Sequence, residues 1–187
     1  MDADTPFPTQ PPRYTRTAMV LHWLMAILIL ATLLLGDYMH ELKFSPVKLQ
    51  LYSYHKWMGV TVAWLWLLRL LWRSRHAAPA LPPAPRWQHA LAHATHHLLY
   101  VLMLAVPLSG WLMSSAKGFQ TVYLGLLPIP DLLEKNAELA DLLKEAHEAS
   151  VALLVGLVVL HVAAALKHQW MDKDGLLLRM LPARRAR

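Results

Sequence analysis

Eleven histidines in 187 residues is a high number, and four of them lie inside long apolar stretches. These four are His22, His55, His147 and His161. An ionisable side chain in such a stretch is costly to keep there and marks a functional site. Neutral imidazole offers one lone pair, which suits it to axial ligation of haem iron. His147 and His161 are fourteen residues apart. At 3.6 residues per turn that is nearly four turns, so both project from one helix face, about 21 Å apart along the axis. A single buried histidine would read as an interhelical hydrogen-bonding group. Four that sort into two depths, His22 with His161 and His55 with His147, point instead to two stacked haems. Helix bundles build cofactor sites from such inward side chains on facing helices.

The elements that must position them are four apolar stretches, at about 17–38, 49–72, 89–115 and 142–170. A helix needs about 20 apolar residues to cross the hydrocarbon core. Segments such as Trp23–Leu35 and Val151–Leu160 have almost no polar face, whereas a helix in a soluble bundle would alternate faces. The expected fold is therefore all-α, an integral membrane four-helix bundle. The polar, proline-rich residues 1–12 read as a disordered tail, and 13–187 as a single transmembrane domain. Prolines between 73 and 87 break the chain after the second stretch. In the 117–141 connection the acidic run Asp131 to Glu145 is expected as a short surface helix.

There is no cysteine, so disulfides, thiolate haem ligation, iron–sulfur clusters and thiol catalysis are excluded. The formal net charge is +6. The basic residues border the apolar segments, so they read as an orientation signal and not as a nucleic-acid surface. Arg13, Arg16, Arg69, Arg73, Arg75 and Arg86 share one side with the basic C-terminal tail. Both termini and the 73–87 loop are thus expected in the cytoplasm.

Other residues carry two readings each. Gly59, Gly156, Ala164 and Ala165 offer room for a porphyrin or for close helix packing. Arg69, fourteen residues after His55, is either a haem-propionate partner or a positive-inside anchor. His168, flanked by Lys167 and Trp170, is either a quinone head-group site or an interface anchor. His93, His96 and His97 share the spacing of one face and would contact propionates, a quinone or the membrane interface.

Taken in order, Tyr14-Thr15-Arg16 with Leu21-His22-Trp23, His55 with Gly59 and Arg69, and Leu91-Ala92-His93 with His96 resemble a known pattern. So do Pro107 to Gly110, His147-Glu148, Leu160-His161 through Leu166 to His168, and Leu178 to Pro182. The chain from about Tyr14 to Arg185 resembles the bacterial cytochrome b561 family of four-helix dihaem proteins, which includes superoxide oxidase. The resemblance implies two haem b groups, one held by His22 and His161 and the other by His55 and His147. It also implies a ubiquinone site at the cytoplasmic end, where His168 matches, and superoxide as an electron donor. Two features depart from the pattern. Ala18 lacks the polar side chain common four residues before the first ligand. The acidic run opposes an anionic substrate, although Lys56 and Lys117 offset it locally.

Bis-histidine iron has no open coordination site, so electron transfer at the haem edge is the expected task. The rival reading is a cytochrome b anchor of a hydrogenase- or dehydrogenase-like complex, its acidic loop docking a redox protein. A histidine-rich metal transporter is a third.

Overall fold

A computed structural model describes residues 13–80 and 82–182. The expected tail at 1–12 and the last basic residues lie outside them. Four long helices make up most of the chain: α1 (Arg16–Glu41), α2 (Pro46–Arg75), α3 (Arg86–Ala116) and α4 (Ala137–Lys167). Each runs one to five residues beyond the stretch expected at most of its ends, because capping residues lie outside the apolar runs. The side chains of Thr15, Ser45 and Asn136 accept from the backbone N–H groups of Ala18, Lys48 and Leu139. Such a cap is worth about 1 kcal/mol.

Three of the four, α1, α3 and α4, are long and apolar enough to cross a membrane. α2 falls short of that measure. Lys48, Gln50 and Lys56 interrupt its first half, and Arg69 and Arg73 its second. Apolar side chains on α1 and α4 face outward, as with Ile27 and Val159, which suits a bundle in lipid. The buried cluster is small. Leu99, Leu102 and Leu154 pack with Ile29, Val106, Leu157 and Val158. Leu154 lies midway between His147 and His161 in the chain, so this cluster is an apolar plug between the two histidine levels.

The 117–141 connection is not purely irregular. It folds back as a hairpin of β1 (Thr121–Tyr123) and β2 (Leu127–Ile129), antiparallel with Val122 opposite Pro128. Leu124 and Gly125 both have positive φ at its turn. The all-helical expectation missed it because each strand is only three residues long. No separate surface helix forms from the acidic run. Residues 131–136 are extended or turning, and from Ala137 onward the run is simply the first turns of α4.

At the other end, α4 passes into a π-helical turn, His168–Asp172. Lys173 and Gly175, both with positive φ, end it. A 3-10 turn, Leu177–Met180, follows and is stitched into place. Arg179, 7% exposed, donates to the Ala80 carbonyl. Tyr14 N–H donates to the Arg179 carbonyl at 3.2 Å, and Trp23 Nε1 to that of Met180 at 2.8 Å. The entry to α1, the α2–α3 connection and the C-terminal segment therefore meet at one end of the bundle, and the hairpin lies at the other.

Candidate functional site

Three helices, α1, α2 and α4, bring the four histidines together in two pairs. At the hairpin end His55 of α2 faces His147 of α4, ring centroids 6.5 Å apart and planes at 77°. At the termini end His22 of α1 faces His161 of α4, centroids 6.2 Å apart and planes at 70°. Two imidazoles that grip one metal ion from opposite sides have centroids about 6 Å apart, from two metal–nitrogen bonds of about 2 Å and two ring radii of about 1 Å. Both pairs fit that spacing.

The surroundings of the first pair fit a ligand role as well. His147 Nδ1 lies 3.0 Å from the Val106 carbonyl and 3.1 Å from Ser109 Oγ. A ring nitrogen that donates to a carbonyl fixes the tautomer and leaves Nε2 with the lone pair. Gly110 on α3 abuts this ring, and a Cβ there would sit 3.1 Å from His147 Cε1. Gly36 on α1 abuts His55 in the same way, also at 3.1 Å. His55 Nδ1 and Trp111 Nε1 are buried without a hydrogen-bond partner. Such orphaned polar atoms are uncommon, and a group bound at this level is one way to partner them. Gly156, between the two levels on α4, meets nothing within 4 Å of an added Cβ. A Cβ added at Gly59 would lie 3.9 Å from Pro107 Cβ, an ordinary contact between α2 and α3.

The second pair has a third imidazole beside it. His96 of α3 lies 5.4 Å from His161, ring to ring. The expected common face of His93, His96 and His97 is split. His96 turns inward, while His93 and His97 are exposed, with His97 Nδ1 2.8 Å from the His93 carbonyl. Arg69 lies at this level too. Its Nε donates to Tyr100 Oη at 2.9 Å and its guanidinium reaches the Ala18 carbonyl, one turn from His22. The Arg69 and Arg73 guanidinium groups both lie within 6 Å of the Tyr100 ring.

Beyond this level, His168 Nδ1 lies 2.6 Å from Asp174 Oδ2 and 3.1 Å from Asp172 Oδ2. Lys167 Nζ lies 2.6 Å from Asp172 Oδ2. These residues line a cleft of about 280 Å³ whose far wall is Pro83, Ala84, Pro85 and Gln88. Trp170 does not line it and is 68% exposed. Of the two aspartates, missed in the sequence, Asp172 ends a π turn and Asp174 follows it, and such turns recur at functional sites.

Apolar helices that hold facing imidazoles define the class of membrane cytochromes b. Over residues 13–183 the chain matches the family described as prokaryotic cytochrome b561. It is 31% identical over 175 residues to Cytochrome b561 homolog 1 of Escherichia coli (strain K12), a match covering 92% of this chain and 99% of that relative. Cytochrome b561 homolog 2 of the same organism is 32% identical over 183 residues, covering 94% of each. A Yersinia pestis protein named Probable superoxide oxidase CybB is 29% identical over 184 residues, covering 92% of this chain and 98% of it. The chain belongs to the prokaryotic cytochrome b561 family. With that membership come haem b, a bacterial membrane and electron transfer within it.

Proposed function

We propose that residues 13–187 form one domain of the bacterial inner membrane, crossing it four times with both termini in the cytoplasm. Two haem b groups would be held in it, one by His22 and His161 and one by His55 and His147. The observation that carries this reading is the pair of imidazole couples, 6.2 and 6.5 Å apart, strung along one face of α4. The bound haems would supply one-electron redox chemistry and the protein the rest. His147 would be oriented by the Val106 carbonyl and Ser109. Arg69, whose guanidinium reaches the Ala18 carbonyl one turn from His22, would neutralise a propionate at the cytoplasmic level.

Electrons would enter near His55 and His147 and leave near His22 and His161. Ubiquinone is the proposed acceptor, at the cleft beside His168 and Lys167, with Trp170 anchoring the rim in the interface. Its reduction to ubiquinol takes two electrons and two protons. The His168–Asp174 pair is the acid–base group placed to hold a proton there. Superoxide is the proposed donor. Two superoxide ions would each give up one electron and leave as oxygen. The printed name of the Yersinia pestis relative supports this, as does Lys56 next to His55.

A second reading rests on one observation. Asp131, Glu134, Glu138, Asp141 and Glu145 are all exposed at the hairpin end. That field repels an anion and suits a basic protein. The chain would then be the cytochrome b anchor of a hydrogenase- or dehydrogenase-like complex.

The test is a reduced-minus-oxidised spectrum with a haem count per chain, for the wild type and two variants. Two b-type haems are expected in the wild type, and one in each of His55→Ala and His22→Ala. A wild type without a Soret band, or two haems retained in either variant, defeats the proposal. Stopped-flow mixing with superoxide then separates enzyme from anchor.

A further inference from the structure

The hairpin packs against the polar side of the first half of α2. Lys56 Nζ donates to the Phe119 carbonyl at 3.1 Å, and Trp57 Nε1 to that of Val122 at 2.7 Å. Tyr123 Oη lies 2.9 Å from Thr61 Oγ1. These contacts step along the helix from Lys56 to Thr61. Thr61 is fifteen residues into a 30-residue helix, so the hairpin reaches the middle of α2, about 22 Å from its N-terminal end. In a bilayer that depth is below the surface.

The outer face of the hairpin matches such a setting. No charged residue occurs from Phe119 to Pro130, although Lys117 and Asp131 bracket the segment. Leu126 is 86% exposed, Leu127 60% and Leu124 55%. Leu124 holds φ +53 at a turn closed by Leu126 N–H donating to the Tyr123 carbonyl. Such turns favour asparagine or glycine at that position, so leucine there serves its surroundings and not the turn. Exposed strand edges are disfavoured in hydrocarbon because their N–H and C=O groups go unpaired. Here one strand is covered by α2, and the other carries Pro128 and is followed by Pro130, which have no N–H to leave unpaired.

We infer that the leucine tip of the hairpin, Leu124 to Leu127, is inserted among the lipid acyl chains of the leaflet at the hairpin end, as a short re-entrant element that screens the polar flank of α2. The inference rests on α2 spanning the membrane, and its test reads the two separately. The chain has no cysteine, so single cysteines introduced by Leu126→Cys, Leu127→Cys, Trp64→Cys and Glu138→Cys each take one nitroxide label. Haem-replete protein in phospholipid vesicles is then probed by relaxation with oxygen, which concentrates in the bilayer, and with a water-soluble nickel chelate. Trp64 on the exposed side of α2 reports spanning alone, and Glu138 is the aqueous reference. The labels at 126 and 127 are expected to match that at 64, open to oxygen and several-fold less open to nickel than that at 138. Labels at 126 and 127 as open to nickel as that at 138 would place the tip in water. Labels closed to both reagents would place it under a protein partner. Either result overturns the inference, and nickel access at 64 would instead defeat the spanning of α2.

Discussion

One hydrogen atom of Gly110 stands where a methyl group would press on His147. An added Cβ would lie 3.1 Å from Cε1 and 3.3 Å from Nδ1 of that ring, inside ordinary contact distance. Gly110→Ala is therefore expected to push the ring off the Val106 carbonyl, at a cost in the range of about 1–3 kcal/mol for overpacking. The measurement is a redox titration with a haem count. The component held by His55 and His147 should shift or be lost while the other stays. An unchanged Gly110→Ala titration would refute the argument. The two histidine pairs were legible in the sequence because a titratable group in an apolar run stands out in one dimension. Gly110 and Gly36 were not, since the reason for each glycine lies on a different helix. His96 shows the same limit. Spacing placed it with His93 and His97, but the boundary between inward and outward falls between them, and only the position of α4 sets it.

The ends of the elements carry more of the molecule than their hydropathy suggests. Sequence periodicity located all four helices to within a few residues, since each apolar run is long and broken by proline or glycine. The hairpin stayed hidden because two three-residue strands carry no period to detect. The C-terminal 3-10 turn stayed hidden for another reason: its partners, Tyr14, Trp23 and Ala80, are far away in the chain. Arg179 is the centre of that clasp. Removing it by Arg179→Ala deletes a buried side chain and its hydrogen bond to the exposed Ala80 carbonyl, and a hydrogen bond to a charged group is worth about 1.5–3 kcal/mol. The expected result is a lower thermal midpoint in detergent with two haems still bound. A midpoint equal to wild type would mean the clasp holds nothing.

Seen as a whole, the bundle is polarised. Arg13, Arg16, Arg69, Arg73, Arg75, Arg86 and Arg179 gather at the termini end, whereas the lysines at the hairpin end sit among carboxylates. By the positive-inside rule the termini end would then face the cytoplasm, as proposed. Ser74→Cys, in the last turn of α2, should react with an impermeant maleimide only from the cytoplasmic side, and Glu134→Cys only from the opposite side. The reverse pattern would invert the proposed electron path.

The apolar plug around Leu154 gives that polarity an electrical meaning. On the proposed reading it would keep two redox levels apart along the membrane normal, by about 21 Å of the roughly 30 Å across which the voltage drops. A full crossing of one elementary charge is worth about 2.3 kcal/mol per 100 mV. An electron stepping inward between the two levels would thus work against about two-thirds of the field, or about 1.6 kcal/mol per 100 mV. Each turnover on the proposed path would carry negative charge inward and charge the membrane like a capacitor. The rate would then slow as the interior became more negative.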